Sequence, residues 1–485
     1  MSKFSDYLKR HIEARGESVL SIARSTGIER TSLQRALKGE KVLSSKTVHT
    51  LAIYLQLSLE ERREYFRLYN MLLQGEDMWH NQAAVCELLN QLSSTQFLPD
   101  ASDQSLFKTN ENFIPSFEYK MIEGEYPIRN TLSTILTWEV CQDSRAHFKM
   151  FLPFEMDFAS ILLKLWNNGA RFTTDHLFCF PASNGNDCSQ SVKILKQIIP
   201  VCLTARDFYH PYYFYEKPEA LLANPLSHYI ITPHYLILIS NDLSKALVQS
   251  SADLINYYSN HFSNLMNCCE PFVPFANSLP EVLNRARVMV DTNGSFFLMP
   301  QPCFGYSTTP EMIAKYFKRE DFPKEIFDSI TEHFSLYRTS KDFTTIFSEE
   351  GLQTFINEGT LLEYPSSFTS NLDLEDRINF MEELRENIAS ERILGRISRR
   401  SVLNIPNYLT VYVDTEGNVW FDTTRDFIHG AFYCNIHITE KSICHALLDF
   451  SSSITDSKLL YSKEDTLNIL DEGINVLKRM KSEAD

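Results

Sequence analysis

Between Ser18 and Lys41 the chain reads SVLSIARSTGIERTSLQRALKGEK, and no other stretch limits its folding so tightly. Ala23 is a small residue on the apolar face of the first of two helical patterns. Four residues on, Gly27 can take the positive φ that a tight turn needs and that other residues resist. Ile28 plugs the core beneath the turn, Leu33 anchors the next helix, and Gly39 closes it. Small, turn-forming and apolar residues in this register prescribe two short helices folded across a tight turn.

The flanks complete a small helical domain. A first helix covers about Ser5 to Ala14, with Phe4, Leu8 and Ile12 on one face and Gly16 ending it. Ser18 caps the second, which buries Val19, Ile22 and Ala23. The third runs from about Arg30 to Lys38 and buries Leu33, Ala36 and Leu37. A fourth begins near Ser44 and Ser45 and inserts Val48, Leu51, Ala52 and Leu55. Ser58 and Glu61 form the S-x-x-E box of a fifth that reaches about Leu73.

In the positions of Ala23, Gly27, Ile28, Leu33 and Gly39 the stretch resembles the Cro and lambda-repressor-like (XRE) family, over about residues 1–75. The resemblance implies a five-helix helix-turn-helix domain that binds double-stranded DNA, its third helix in the major groove. Arg30, Thr31, Ser32, Gln34, Arg35 and Lys38 would then face base edges, Arg donating two bonds to guanine and Gln pairing with adenine. Ser18, Lys41, Ser45, Lys46 and Thr47 would hold phosphates. Regulators of this type pair to read two half-sites, so a homodimer is expected. Two positions depart from the pattern. Val19 stands where the family usually has a phosphate-contacting Gln. Glu29 replaces the Ser that commonly caps the recognition helix, and it sets a negative charge beside phosphate.

The net charge of -16 over 485 residues is wrong for a nucleic-acid binder until it is divided. Residues 1–74 hold 13 Lys and Arg against 8 Asp and Glu, a balance of +5, which leaves -21 for the rest. Positive charge is concentrated where DNA would be met. Ten cysteines without a paired framework fit a reducing compartment, and the apolar run YLILI is far too short to cross a bilayer. A cytoplasmic chain without membrane contact is expected.

Beyond residue 75 the signals are those of fold alone. Residues 76–92 predict a helix with Trp79, Ala83, Cys86 and Leu89 along one stripe, which either pairs two subunits or packs on the fifth helix. Polar residues 93–125 predict a linker. Alternating helical and strand patterns predict an α/β sensor domain over 126–275, including a buried hairpin around Pro233 and His234 and a long helix from about Asp242 to Cys268. Residues 276–485 predict an α+β domain. It has hairpins turning at Asn293–Gly294 and Glu416–Gly417, a capped helix ended by Gly359, and helices at about 440–453 and 463–480. The expected fold class is therefore multidomain, an all-α five-helix domain followed by mixed α/β and α+β domains.

Chemical signatures are scarce. With only 15 glycines the chain has neither a P-loop nor a G-x-G-x-x-G turn, and G-x-S-x-G, H-E-x-x-H and C-x-x-C are also absent. His147 and Lys149 in HFKMFLPF resemble half of the H-x-K-x-x-x-x-D signature of phospholipase-D-like enzymes, but Phe154 stands where Asp is required. His429, Cys434, His437, Cys444 and His445 lie near one another in sequence. On a strand, however, Cys434 and His437 fall on opposite faces, so no metal is expected. These readings predict a transcriptional regulator that is not an enzyme and uses no cofactor, with its large carboxy-terminal part sensing a small-molecule or peptide effector or driving oligomerisation. The alternative is an enzyme or protein-binding adaptor that uses the helix-turn-helix for targeting.

Overall fold

The computed structural model describes residues 2–484 apart from 96–118, 144, 153–157, 168–169, 171, 183–185, 206–207, 217–225, 274–294, 306, 319–323, 325–326, 329–330, 333, 336–342, 365, 367–368 and 425–432. The chain divides into two compact units, residues 1–83 with 186–188, and residues 84–185 with 189–485.

In the first unit the opening residues form α1 (Lys3–Ala14), α2 (Val19–Thr26), α3 (Arg30–Leu37), α4 (Ser45–Tyr54) and α5 (Leu59–Gln74). Their starts follow from side-chain caps: Ser2, Ser18, Ser44 and Ser58 each accept a backbone N–H three residues on, and Ser58 and Glu61 close a reciprocal box. The apolar positions at helical spacing meet in one core of Phe4, Leu8, Ile12, Ile22, Leu33, Val48, Leu51 and Tyr65. Between α2 and α3 the chain turns at Gly27, whose φ is +70°. The loop entering α4 is tied down from below, where the buried Tyr69 hydroxyl donates to the Leu43 carbonyl at 2.6 Å.

A sixth helix, α6 (Glu76–Ser94), begins in the first unit and ends in the second. Within the first, Asn81 brackets the segment 186–188, its Nδ2 donating to the Asn186 carbonyl and its Oδ1 accepting from the Cys188 N–H. Within the second, Val85, Leu88, Leu89 and Leu92 are no more than 1% exposed. Val85, Leu88 and Leu89 face Phe296, Leu298, Val411, Phe421 and Phe450. The expected stripe divides: Trp79 packs on the first unit's core with Arg67 of the fifth helix over its ring, as one alternative had it, while Leu89 is consumed by the chain's own sheet.

The second unit is built on two mixed sheets. The first has eight strands: β1 (Tyr119–Glu123), β2 (His147–Phe151), β3 (Thr173–Pro181), β4 (Tyr209–Glu216), β5 (His228–Ile231), β6 (Leu236–Ile239), β7 (Lys245–Gln249) and β8 (Glu270–Pro271). Their order is β1-β7-β6-β5-β2-β3-β4-β8. β2, β3 and β4 run parallel, with α8 (Ala159–Asn167) and α9 (Ser189–Thr204) between them in sequence. The strands β5 to β7 form an antiparallel meander against β2. Preceding β2, α7 (Glu125–Gln142) carries the buried Glu139, which accepts from the Thr232 hydroxyl and the His234 N–H and so pins the β5–β6 turn.

The second sheet repeats this plan. Its strands are β9 (Ser295–Met299), β10 (Phe343–Ser348), β11 (Ile393–Ser398), β12 (Leu409–Val413), β13 (Val419–Thr424) and β14 (Tyr433–Ile438), in the order β11-β10-β9-β12-β13-β14. Again three parallel strands meet an antiparallel meander, and β9 holds the place that β2 has in the first sheet. Helices α11 (Pro310–Tyr316), α12 (Glu349–Glu358), α13 (Leu374–Ala389), α14 (Lys441–Ser453) and α15 (Lys463–Ala484) accompany it.

Several expectations are corrected here. Residues 242–268 are not one helix. β7 is followed by α10 (Ala252–Met266), and of the five residues expected to be buried there only Phe262 is. The turn at Asn293–Gly294 lies outside the described residues, and both sides of β9 are taken by β10 and β12. The hairpin around Gly417, the hairpin around Pro233 and His234, and the helix ended by Gly359 stand as expected. No helix among the described residues is long and apolar enough to cross a membrane.

Candidate nucleic-acid interface

The chemistry of the first unit is concentrated along α3. Leu33 and Ala36 point into the core, which turns Arg30, Thr31, Gln34, Arg35 and Lys38 outward; Ser32 is half-buried. Among the described residues Arg30, Gln34 and Lys38 have no side-chain bond, and Arg35 meets only Glu40 across 4.0 Å of exposed surface. Four of the six expected base-reading side chains are therefore poised on one open face. Thr31 and Ser32 are engaged otherwise, both hydroxyls donating to the carboxylate of Glu29.

The expected phosphate-holding residues gather only in part. Lys41, Lys46 and Thr47 line a groove of about 600 Å³ with Ser44, together with Thr26, Glu29, Ser32 and Thr50. Ser44 caps α4, its hydroxyl accepting from the Thr47 N–H. Ser45 is exposed at the first turn of the same helix. Ser18 is apart from this groove, at the start of α2, where its hydroxyl accepts from the Ser21 N–H at 3.2 Å.

Glu29 is the residue that sequence reasoning undervalued. It occupies the cap position of α3 without making a cap bond. Bonds from the Thr31 hydroxyl first, then from Ser32, hold its carboxyl below the usual carboxylate range, and Lys41 adds to this through its charge. Lys41 Nζ itself donates to Ser32 Oγ at 2.8 Å. A second network frames the α1–α2 turn. Tyr54 donates to Glu17 at 2.6 Å while Arg15 stacks over the Tyr54 ring. A Thr and a Ser following an acidic cap are the only sequence signal for the first network; the second joins residues 37 apart and has none.

Elsewhere the expected chemistry is tied into the fold. His147 Nε2 lies 3.0 Å from Asp175 and its Nδ1 2.7 Å from the Thr173 hydroxyl, while Lys149 donates to Ser259. His437 stacks flat on Trp420, and the Cys444 thiol points to the Ile438 carbonyl. His429 and the Cys434 side chain lie outside the described residues. Among the described residues no three His, Cys, Asp or Glu side chains converge as a metal would require.

No family model matches the chain, and no curated protein matches it. Solved structures give distant likenesses. One is the archaeal chromatin protein TrmBL2, whose structure shows a novel mode of DNA binding. It is 11% identical with a TM-score of 0.24, over 56% of this chain and 94% of that one. Another is the phosphatidylserine synthase of Haemophilus influenzae, 9% identical with a TM-score of 0.24, over 79% of this chain and 98% of that one. The polyphosphate kinase of Porphyromonas gingivalis is 10% identical with a TM-score of 0.22, over 76% of this chain and 58% of that one. Two of the three are enzymes, so the expectation of a chain without catalysis is withdrawn.

Proposed function

We propose that the chain is a sequence-specific DNA-binding transcriptional regulator of the Cro and lambda-repressor-like kind, acting in the cytoplasm. Residues 1–75 are its helix-turn-helix domain, with α3 as the recognition helix. The reading rests above all on the outward row Arg30, Gln34, Arg35 and Lys38, uncommitted to other side chains among the described residues except for the loose Arg35–Glu40 pair, on a unit of net positive charge. The groove beside it, with Lys41, Lys46 and the capped start of α4, suits a phosphate run that positions the helix without reading sequence. The protein acts as a homodimer on two half-sites. The rest of the chain holds a sensor domain at 126–275 and a carboxy-terminal domain at 276–485, which respond to an effector or hold the oligomer together.

Two substitutions in the full chain test the reading. Arg35→Ala should cost about 1–3 kcal/mol on the preferred site and relax preference at one base pair. Lys46→Ala should weaken binding to all sequences alike and lower the salt slope by about one unit. Binding to matched and scrambled duplexes across salt concentrations separates the two. If Arg35→Ala leaves sequence preference intact, α3 is not the reading helix.

A further inference from the structure

We infer that Glu29 is itself a base-reading residue and makes the protein select cytosine at the base pair facing the start of α3, an inference that rests on α3 being the recognition helix. At the first turn of α3 the hydroxyls of Thr31 and Ser32 both donate to the Glu29 carboxylate, and Ser32 Oγ in turn accepts from Lys41 Nζ at 2.8 Å. Three consequences follow.

The two hydroxyl protons that could have been offered to base acceptors are spent within the protein. What this corner of the reading face presents instead is a pair of carboxylate oxygens, exposed and restricted to acceptor chemistry. The carboxylate is also held in place, since each oxygen has a hydroxyl partner.

In the major groove an acceptor-only group discriminates strongly. Guanine offers O6 and N7 and thymine offers O4, all acceptors that repel it. Adenine offers an amino group beside the N7 acceptor, so attraction and repulsion compete. Cytosine offers its N4 amino group without a neighbouring acceptor of its own. Lys41 sits on the other side of the network, where its ammonium offsets the Glu29 charge in the phosphate-facing groove that both residues line. The acidic cap then need not weaken docking.

The test is selection of binding sites from random duplexes by the full-length protein, its Glu29→Gln and Glu29→Ala variants, with thermal melting as a folding control. The wild type should prefer cytosine by about ten-fold at one position, a factor in reach of one base-edge contact. Glu29→Gln should move that preference to adenine, because an amide can both donate to N7 and accept from N6, and should leave the other positions unchanged. Glu29→Ala should erase it. If Glu29→Gln instead tightens binding to every sequence equally, or leaves the consensus as it was, Glu29 only repels phosphate and the inference fails alone. A wild-type protein that selects no sequence would remove the recognition-helix reading, and this inference with it.

Discussion

Gly27 and Gly351 show how differently one residue type can matter. Gly27 turns the chain at a φ of +70°, and a Cβ added there would meet nothing within 4 Å, so the strain of a substitution is backbone strain alone. Gly351 has an ordinary φ, but a Cβ would lie 2.0 Å from the Pro300 carbonyl oxygen, closer than two non-bonded atoms can come. Gly27→Ala should therefore cost about 1–2 kcal/mol. Gly351→Ala should cost more, since strand and helix must separate at the start of α12. Urea unfolding of the full chain measures both; equal, small losses would refute the contrast. The turn glycine was legible in the sequence because its need is local. The crowding at Gly351 was not, because Pro300 is 51 residues away. Glu29 lies between these cases: its partners are close in sequence, but which way two hydroxyls point is decided only when the helix forms.

The elements that sequence reasoning missed are those whose partners lie elsewhere. β4 reads YHPYYFYE, and an internal proline argues against a strand. It is tolerated here near the sheet margin, where among the described residues the further neighbour is the two-residue β8. Between Asp242 and Cys268 the spacing of Leu247, Leu254, Tyr258, Phe262 and Leu265 imitates one long helical face, and five residues of strand are too few to break the pattern. Ser250 and Ser251 mark the true boundary, α10 beginning at Ala252. For α6 the helix was legible and its partner was not. Leu88 is fully buried against the second sheet, so Leu88→Ala should destabilise the second unit by about 2–5 kcal/mol. A loss under about 0.5 kcal/mol in denaturant unfolding would mean that this half of the helix is not a core element.

For the molecule as a whole, acid is the informative stress. His176 is buried against the Tyr209 hydroxyl, and burial pushes its pKa down to about 3. Burial likewise brings His228 down to about 4. Both stay neutral when folded but take a proton when unfolded, so the stability they permit is intact above about pH 6.5 and is lost as pH falls from there toward the folded values. Each should remove roughly 2 kcal/mol between pH 7.5 and pH 5. Urea unfolding at the two values, with His176→Asn alongside, checks this. The variant should lose less on acidification, and an unchanged loss would exclude His176 as a source.

Residues 1–74 were nearly complete in the sequence because each of their five helices carries its own apolar stripe and four of the five a side-chain cap, although the core is closed by α1 meeting α5, where Phe4 packs on Tyr65 and Tyr69. Composition alone placed positive charge there and acid beyond it. The doubled plan of the second unit depended on tertiary structure. A strand's identity in a mixed sheet rests on main-chain bonds to strands far away, such as β9 to β12 across more than a hundred residues, and no local period records that pairing. The same holds for the groove that joins Glu29 to Lys41 and Lys46: these three residues were named from the sequence one by one, but only folding brought them onto a single surface.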